Sequence, residues 1–119
     1  MKRKELGAWG ERIAAEYLRK RGYIIRELNY RCSLGEIDIV AQDKDCLVFV
    51  EVRTRRSADF GPPEESVTFA KKEKLLSLAL FYLQVHSDLP SLWRIDVVAI
   101  EVEPDGKVSR LELIPNALG

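Results

Sequence analysis

Residues 35–56 read GEIDIVAQDKDCLVFVEVRTRR, and this stretch decides the fold class. Glu36 to Gln42 and Cys46 to Thr54 are two β-rich runs separated by Asp43-Lys44-Asp45, which predicts a β-hairpin. Side chains alternate between faces along a strand. Glu36, Asp38 and Val40 are therefore expected on one side, and Ile37, Ile39 and Ala41 on the other. In the second run Leu47, Phe49, Glu51, Arg53 and Arg55 share a face, and Leu47 to Val52 has the composition of a buried central strand. A carboxylate inside such a run requires a partner.

A turn centred between Lys44 and Asp45 places Asp38 across from Glu51, with Cβ atoms roughly 5 Å apart. Opposed like charges destabilise a sheet unless a cation bridges them. Two readings fit this spacing. In one, Asp38 and Glu51 form a hard-metal site for Mg²⁺ or Mn²⁺, which binds oxygen ligands, and Arg53 stabilises charge developing on phosphoryl oxygens. In the other, the two acids belong to an ion-pair network with Arg53, Arg55 or Arg94.

Outward from the hairpin, Leu6, Trp9, Ile13 and Tyr17 recur at helical spacing and predict a helix over residues 4–21, ended by Gly22 in a left-handed cap. Tyr23 to Leu28 reads as a strand and Asn29 to Gly35 as a loop. Gly61-Pro62-Pro63 breaks regular structure within residues 57–65, and Val67 to Val85 is the second helix. Trp93 to Val102 and Lys107 to Ile114 are strands joined by the turn Pro104-Asp105-Gly106. The order α-β-β-β-α-β-β, with no linker, predicts one α/β domain over residues 1–119.

Composition narrows the function classes. Nineteen basic and nineteen acidic residues cancel, which argues against a uniformly basic nucleic-acid binder, yet basic residues outnumber acidic ones over residues 1–26 and gather at Arg53, Arg55 and Arg56. No apolar run approaches the roughly 20 residues of a membrane span, so a cytoplasmic protein is expected. Cys32, Cys46 and His86 lack zinc-ligand spacing; the cysteines read as buried thiols and His86 as a helix-end residue. No P-loop or Gly-x-Gly-x-x-Gly supports a nucleotide cofactor. Asp96, in Ile95-Asp96-Val97-Val98, reads as a structural acid paired with an arginine.

Gly35-Glu36-Ile37-Asp38-Ile39-Val40, followed by Val48-Phe49-Val50-Glu51-Val52-Arg53-Thr54-Arg55-Arg56, closely resembles the YraN-like family of bacterial proteins, which is placed with Holliday-junction-resolvase-like nucleases in the PD-(D/E)XK superfamily. The likeness extends from Gly7 and Gly10-Glu11 through Gly22-Tyr23, Asn29 and Arg31 to Val67, Lys71, Lys74 and Arg94-Ile95-Asp96-Val97-Val98. It spans nearly the whole chain.

The resemblance implies a restriction-endonuclease-like αβββαβ core, a mixed central sheet flanked by helices. It implies that Asp38, Glu51 and the Val52 carbonyl bind Mg²⁺ or Mn²⁺, and that Glu11 joins Asp38, Glu51 and Arg53 as catalytic residues. The superfamily usually carries lysine where this chain has Arg53, and arginine does not exchange protons near neutral pH, so its role is electrostatic or positional. Arg31, Arg55, Arg56, Lys71 and Lys74 are the expected nucleic-acid contacts, with the Arg55 to Glu65 loop closing over a strand. The implied activity is Mg²⁺-dependent hydrolysis of DNA phosphodiester bonds, branched Holliday-junction-like DNA included. A non-catalytic nucleic-acid-binding module and a protein-interaction domain with a relic site are the competing readings. A homodimer is expected, with Phe81 and Tyr82 as contacts.

Overall fold

A computed structural model describes residues 2–57 and 61–117. The elements follow the order α1 (Arg3–Lys20), β1 (Ile24–Cys32), β2 (Gly35–Asp43), β3 (Cys46–Arg56), a 3-10 turn (Pro63–Ser66), α2 (Phe69–Val85), β4 (Leu92–Val102) and β5 (Val108–Ile114). The strands form one sheet in the order β1-β2-β3-β4-β5, antiparallel except for the parallel pair β3 and β4. A parallel pair needs a crossover, which the segment carrying α2 supplies.

Local chemistry sets the helix ends. Gly22, at φ +91°, closes α1 as expected: the N–H of Gly22 reaches the Arg19 carbonyl and that of Tyr23 reaches the Leu18 carbonyl. Thr68 caps α2, its hydroxyl accepting the Lys71 N–H at 3.3 Å, so this helix begins two residues later than its apolar pattern suggests.

The helices cover opposite faces of the sheet. Ala14, Ala15 and Leu18 of α1 pack with Ile39, Ala41, Val48, Val50, Val98 and Ile100. Leu75, Leu78, Ala79 and Tyr82 of α2 pack with Ile37, Val40, Leu47, Phe49, Ile95 and Val97. The central strands are thus buried on both sides, which explains the unbroken apolar run in β3.

Several expectations need correction. Residues 29–32 are not loop: β1 runs through Cys32 and turns at Ser33-Leu34, because Tyr30 and Cys32 pack on the α2 side while their polar neighbours face outward on an edge strand. Cys32 and Cys46 are half-buried free thiols rather than core residues. Tyr82 is buried, in edge-to-face contact with Tyr30 and Phe49, so it belongs to the core and offers no surface for a second copy.

Asp96 is fully buried and does pair with an arginine. Its oxygens accept from Arg94 Nε at 3.0 and 3.1 Å and from the Asn116 N–H at 3.0 Å. His86 ends α2 as expected, with Nδ1 3.0 Å from the Tyr82 carbonyl. Among the described residues no helix is long and apolar enough to cross a membrane.

Candidate active site

The site lies where the sheet forks. Pairing of β2 with β3 has the expected register, from Asp43↔Cys46 to Ile39↔Val50, and stops there. Beyond that point β2 stays with β1, through Tyr30↔Ile37 to Cys32↔Gly35, whereas β3 stays with β4 as far as Arg56↔Val102. Asp38 and Glu51 are the next residues on the two diverging strands.

In place of a ladder bond, Asp38 Oδ2 accepts the Val52 N–H at 2.8 Å. The N–H and C=O of one strand residue point to the same neighbour, so the Val52 carbonyl also faces the fork. The expected alternation fails at this position. Ile37 packs on the α2 side with Val40, and Ile39 on the α1 side with Ala41, because β2 leaves the plane of β3 between them.

The Asp38 and Glu51 carboxyl groups lie close enough to act on one another directly, and two ionised carboxylates so placed repel. Burial, then the Glu51 carboxylate, with a smaller push from Glu11, drive the Asp38 pKa up to about 8 against a partial offset from the Val52 N–H. Glu51 is almost fully buried. Its Oε2 accepts from Arg53 Nη2 at 2.7 Å and lies 3.5 Å from Lys71 Nζ on α2. Arg53 Nε is buried with no hydrogen-bond partner among the described residues.

Glu11 reaches this cluster from α1. With its amide nitrogen turned to the acceptors, Asn29 donates to Glu11 Oε1 at 2.7 Å and to Glu36 Oε1 at 2.8 Å. Burial and the charges of Glu36 and Glu51 raise the Glu11 pKa, while the Asn29 hydrogen bond lowers it. Glu36 meets Arg31 on its other side at 3.6 Å. Asn29 and Glu36 join the site beyond the expected residues. Their signal was the positive-φ tolerance of asparagine, used here at φ +53°, and the position of Glu36 two residues before Asp38.

The expected catalytic residues Glu11, Asp38, Glu51 and Arg53 thus converge, whereas the expected nucleic-acid contacts divide into three groups. Lys71 sits on Glu51, and the Lys74 stem lies over Gly35 at the start of β2. Arg31 is exposed on β1. Arg55 and Arg56 turn away, lining a cleft of about 560 Å³ with Arg3, Leu6, Gly7, Val52, Arg53, Thr54 and Ser66. Of the Arg55 to Glu65 loop, residues 58–60 lie outside the described residues.

Among the described residues no three His, Cys, Asp or Glu side chains converge into a ready metal cage. A cation at the fork would therefore rest on Asp38, Glu51 and the Val52 carbonyl. That donor set, hard oxygens with two facing carboxyl groups that repel when ionised, suits Mg²⁺ or Mn²⁺.

A model of the uncharacterised protein family UPF0102 matches residues 10–100. A UPF0102 protein of Roseiflexus castenholzii is 50% identical, covering 98% of this chain and 95% of the relative. One of Dictyoglomus turgidum is 44% identical over 98% of this chain and 99% of the relative. Another, of Dehalococcoides mccartyi, is 50% identical over 98% and 95%.

Proposed function

The chain belongs to the UPF0102 family, and from that premise we propose that it is a metal-dependent endonuclease of the restriction-endonuclease-like type, hydrolysing DNA phosphodiester bonds. The observation that carries this reading is that the β2–β3 pairing ends at Ile39↔Val50 and leaves Asp38 and Glu51 as the next residues of the fork, Asp38 held by the Val52 N–H and Glu51 by Arg53. A fold does not force two acids together at the end of a ladder without cost, and a divalent cation offsets that cost.

Asp38, Glu51 and the Val52 carbonyl would hold Mg²⁺ or Mn²⁺. The bound ion supplies Lewis-acid polarisation of a phosphodiester and a lowered pKa for attacking water. The remaining chemistry belongs to the chain. Arg53 fixes Glu51 through Nη2 while part of its guanidinium side chain stays exposed, so it can face a phosphoryl oxygen while it orients the carboxylate. It does not carry protons. Lys71 adds a second positive charge from α2 beside the same oxygen of Glu51. Glu11, positioned by Asn29, is the third acid, and burial with the nearby charges of Glu36 and Glu51 favours its protonated form.

The test is incubation with linear, flapped and four-way DNA in Mg²⁺ or Mn²⁺, alongside Asp38→Asn. Metal-dependent cleavage lost in the variant supports the reading, and the preferred substrate tells whether branched DNA is the target. A second reading is favoured by one observation, the guanidinium where the superfamily usually has an amine: a nucleic-acid-binding module that does not cleave. Salt-sensitive DNA binding with no cleavage in either metal would select it.

A further inference from the structure

Two cations share Glu51, and they are held in different ways. Arg53 stands two residues away on β3 and donates to Oε2 at 2.7 Å, with 27% of its side chain exposed. Lys71 comes from α2, lies 3.5 Å from the same oxygen and is 44% exposed. Its backbone is fixed, because the Thr68 cap accepts the Lys71 N–H, so only the flexible four-carbon stem has to turn for the ammonium to leave.

The ammonium sits where a positive charge is poorly placed. Lys71 lies in the first turn of α2, which holds no acidic residue, and the free N–H groups of a helix start disfavour cations and attract anions. Glu51, across the sheet, is the acid that holds it. Oε2 of Glu51 has two lone pairs, and Arg53 and Lys71 both draw on them. A divalent cation resting on Asp38 and Glu51 would be a third positive centre at one carboxylate. The resident with the longer contact and the more exposed stem is the one that yields.

We propose that Lys71 is a tethered counter-ion that occupies Glu51 until a divalent cation enters the fork, and that the released ammonium then holds a backbone phosphate of a polynucleotide. One residue thereby couples the two ligands. Displacing Lys71 from Glu51 makes it available to phosphate, and a phosphate that draws Lys71 away opens Glu51, so each ligand favours the other. The inference rests on the proposed function in taking a divalent metal and a nucleic acid as ligands, and it needs no cleavage.

Calorimetry with Mn²⁺ tests the first half. Lys71→Met should bind Mn²⁺ about three- to tenfold tighter than wild type, the reverse of what removing a ligand does. Lys71→Arg, which keeps the charge, should not tighten binding. Neither should Lys72→Met, which removes the same charge from a side chain that lines a different cleft, beside Glu64, Val97 and Ile114.

The second half is measured in EDTA with a short DNA duplex. Where Glu51 holds the ammonium, Lys71→Met should change duplex affinity by less than about twofold. In a Glu51→Gln background, which keeps an acceptor for Arg53 but removes the holding charge, the same change should cost about tenfold and lower the slope of log affinity against log salt by about one.

Unchanged or weaker Mn²⁺ binding in Lys71→Met, an equal cost of that change in both backgrounds, or no binding of Mn²⁺ or duplex at all would overturn the proposal. Cleavage of the duplex in Mg²⁺ is scored separately. Both shifts without cleavage keep the counter-ion and remove the nuclease reading, and cleavage with neither shift does the reverse.

Discussion

Arg53 on β3 and Lys71 on α2 converge on a single oxygen, Glu51 Oε2, at 2.7 and 3.5 Å. Arg53 is the more buried of the two cations and holds the shorter bond. Removing one partner of a buried ion pair strands the other charge. Arg53→Ala should therefore destabilise the fold by about 1–3 kcal/mol, and Lys71→Ala by less than about 1 kcal/mol because its side chain is more exposed and its contact with Glu51 is longer. Urea denaturation measures both. If the protein cleaves DNA, Arg53→Ala should lower kcat by about 10²-fold or more with a modest loss of binding, and Arg53→Lys should keep part of the activity.

Stability of the metal-free protein should fall as pH rises from about 4 to about 8. The folded state raises the Asp38 pKa from 3.8 to about 8, so between these values it binds a proton that the unfolded chain has released. Bound protons favour the fold at low pH and are lost as pH passes the folded value. Asp38→Asn removes this ionisation and should flatten the slope, leaving the variant more stable than wild type at pH 9 by about 1–3 kcal/mol. Thermal melts in EDTA across this range test the sign.

Metal binding should release a proton. Below pH 8 Asp38 holds one, and a hard cation requires the carboxylate, so Mn²⁺ affinity should increase with pH until Asp38 is ionised. Calorimetry at pH 7 in two buffers of different ionisation enthalpy reads the proton directly. In Asp38→Asn both the proton release and most of the affinity should disappear.

Gly10→Ala should destabilise the protein even though alanine is the better helix former. A Cβ on Gly10 would run into Thr54 Oγ1, where α1 crosses β3. Overpacking of this kind costs about 1–3 kcal/mol. Since Thr54 Oγ1 makes no hydrogen bond among the described residues, Thr54→Ala should cost little and should recover part of the loss in the double variant. A double-mutant cycle in urea gives the coupling.

Much of the site was legible because hairpin register is local. The turn at Lys44-Asp45, with Lys44 at φ +56°, fixes the pairs from Asp43↔Cys46 to Ile39↔Val50, and that alone brings Asp38 near Glu51. The break in alternation at Asp38 was not legible. It arises because β2 follows β1 and β3 follows β4, choices made by strands distant in sequence. The extension of β1 through Asn29 and Arg31 was hidden for a related reason: an edge strand keeps polar residues on its outer face and imitates a loop. Lys71 is legible as a cation near the start of α2, but its seat on Glu51 depends on how α2 docks across the sheet, which spacing along the chain does not encode. Asp96 was legible in kind, since a fully buried acid requires a cation, and Arg94 stands two residues away on the same strand.

The mixed sheet also orders events in time. Strands β1, β2 and β3 are joined by tight turns, so their contacts close short loops, whereas β3 meets its parallel neighbour β4 only after the whole stretch carrying α2 has been brought round. Long loops close at greater entropic cost and correspondingly later. The meeting of Asp38 and Glu51 therefore belongs to the early meander, where Arg53 is already at hand on β3 and only Lys71 waits for α2. Closing the fork at neutral pH therefore takes up a proton at Asp38 early, and the step should slow as pH rises toward 8.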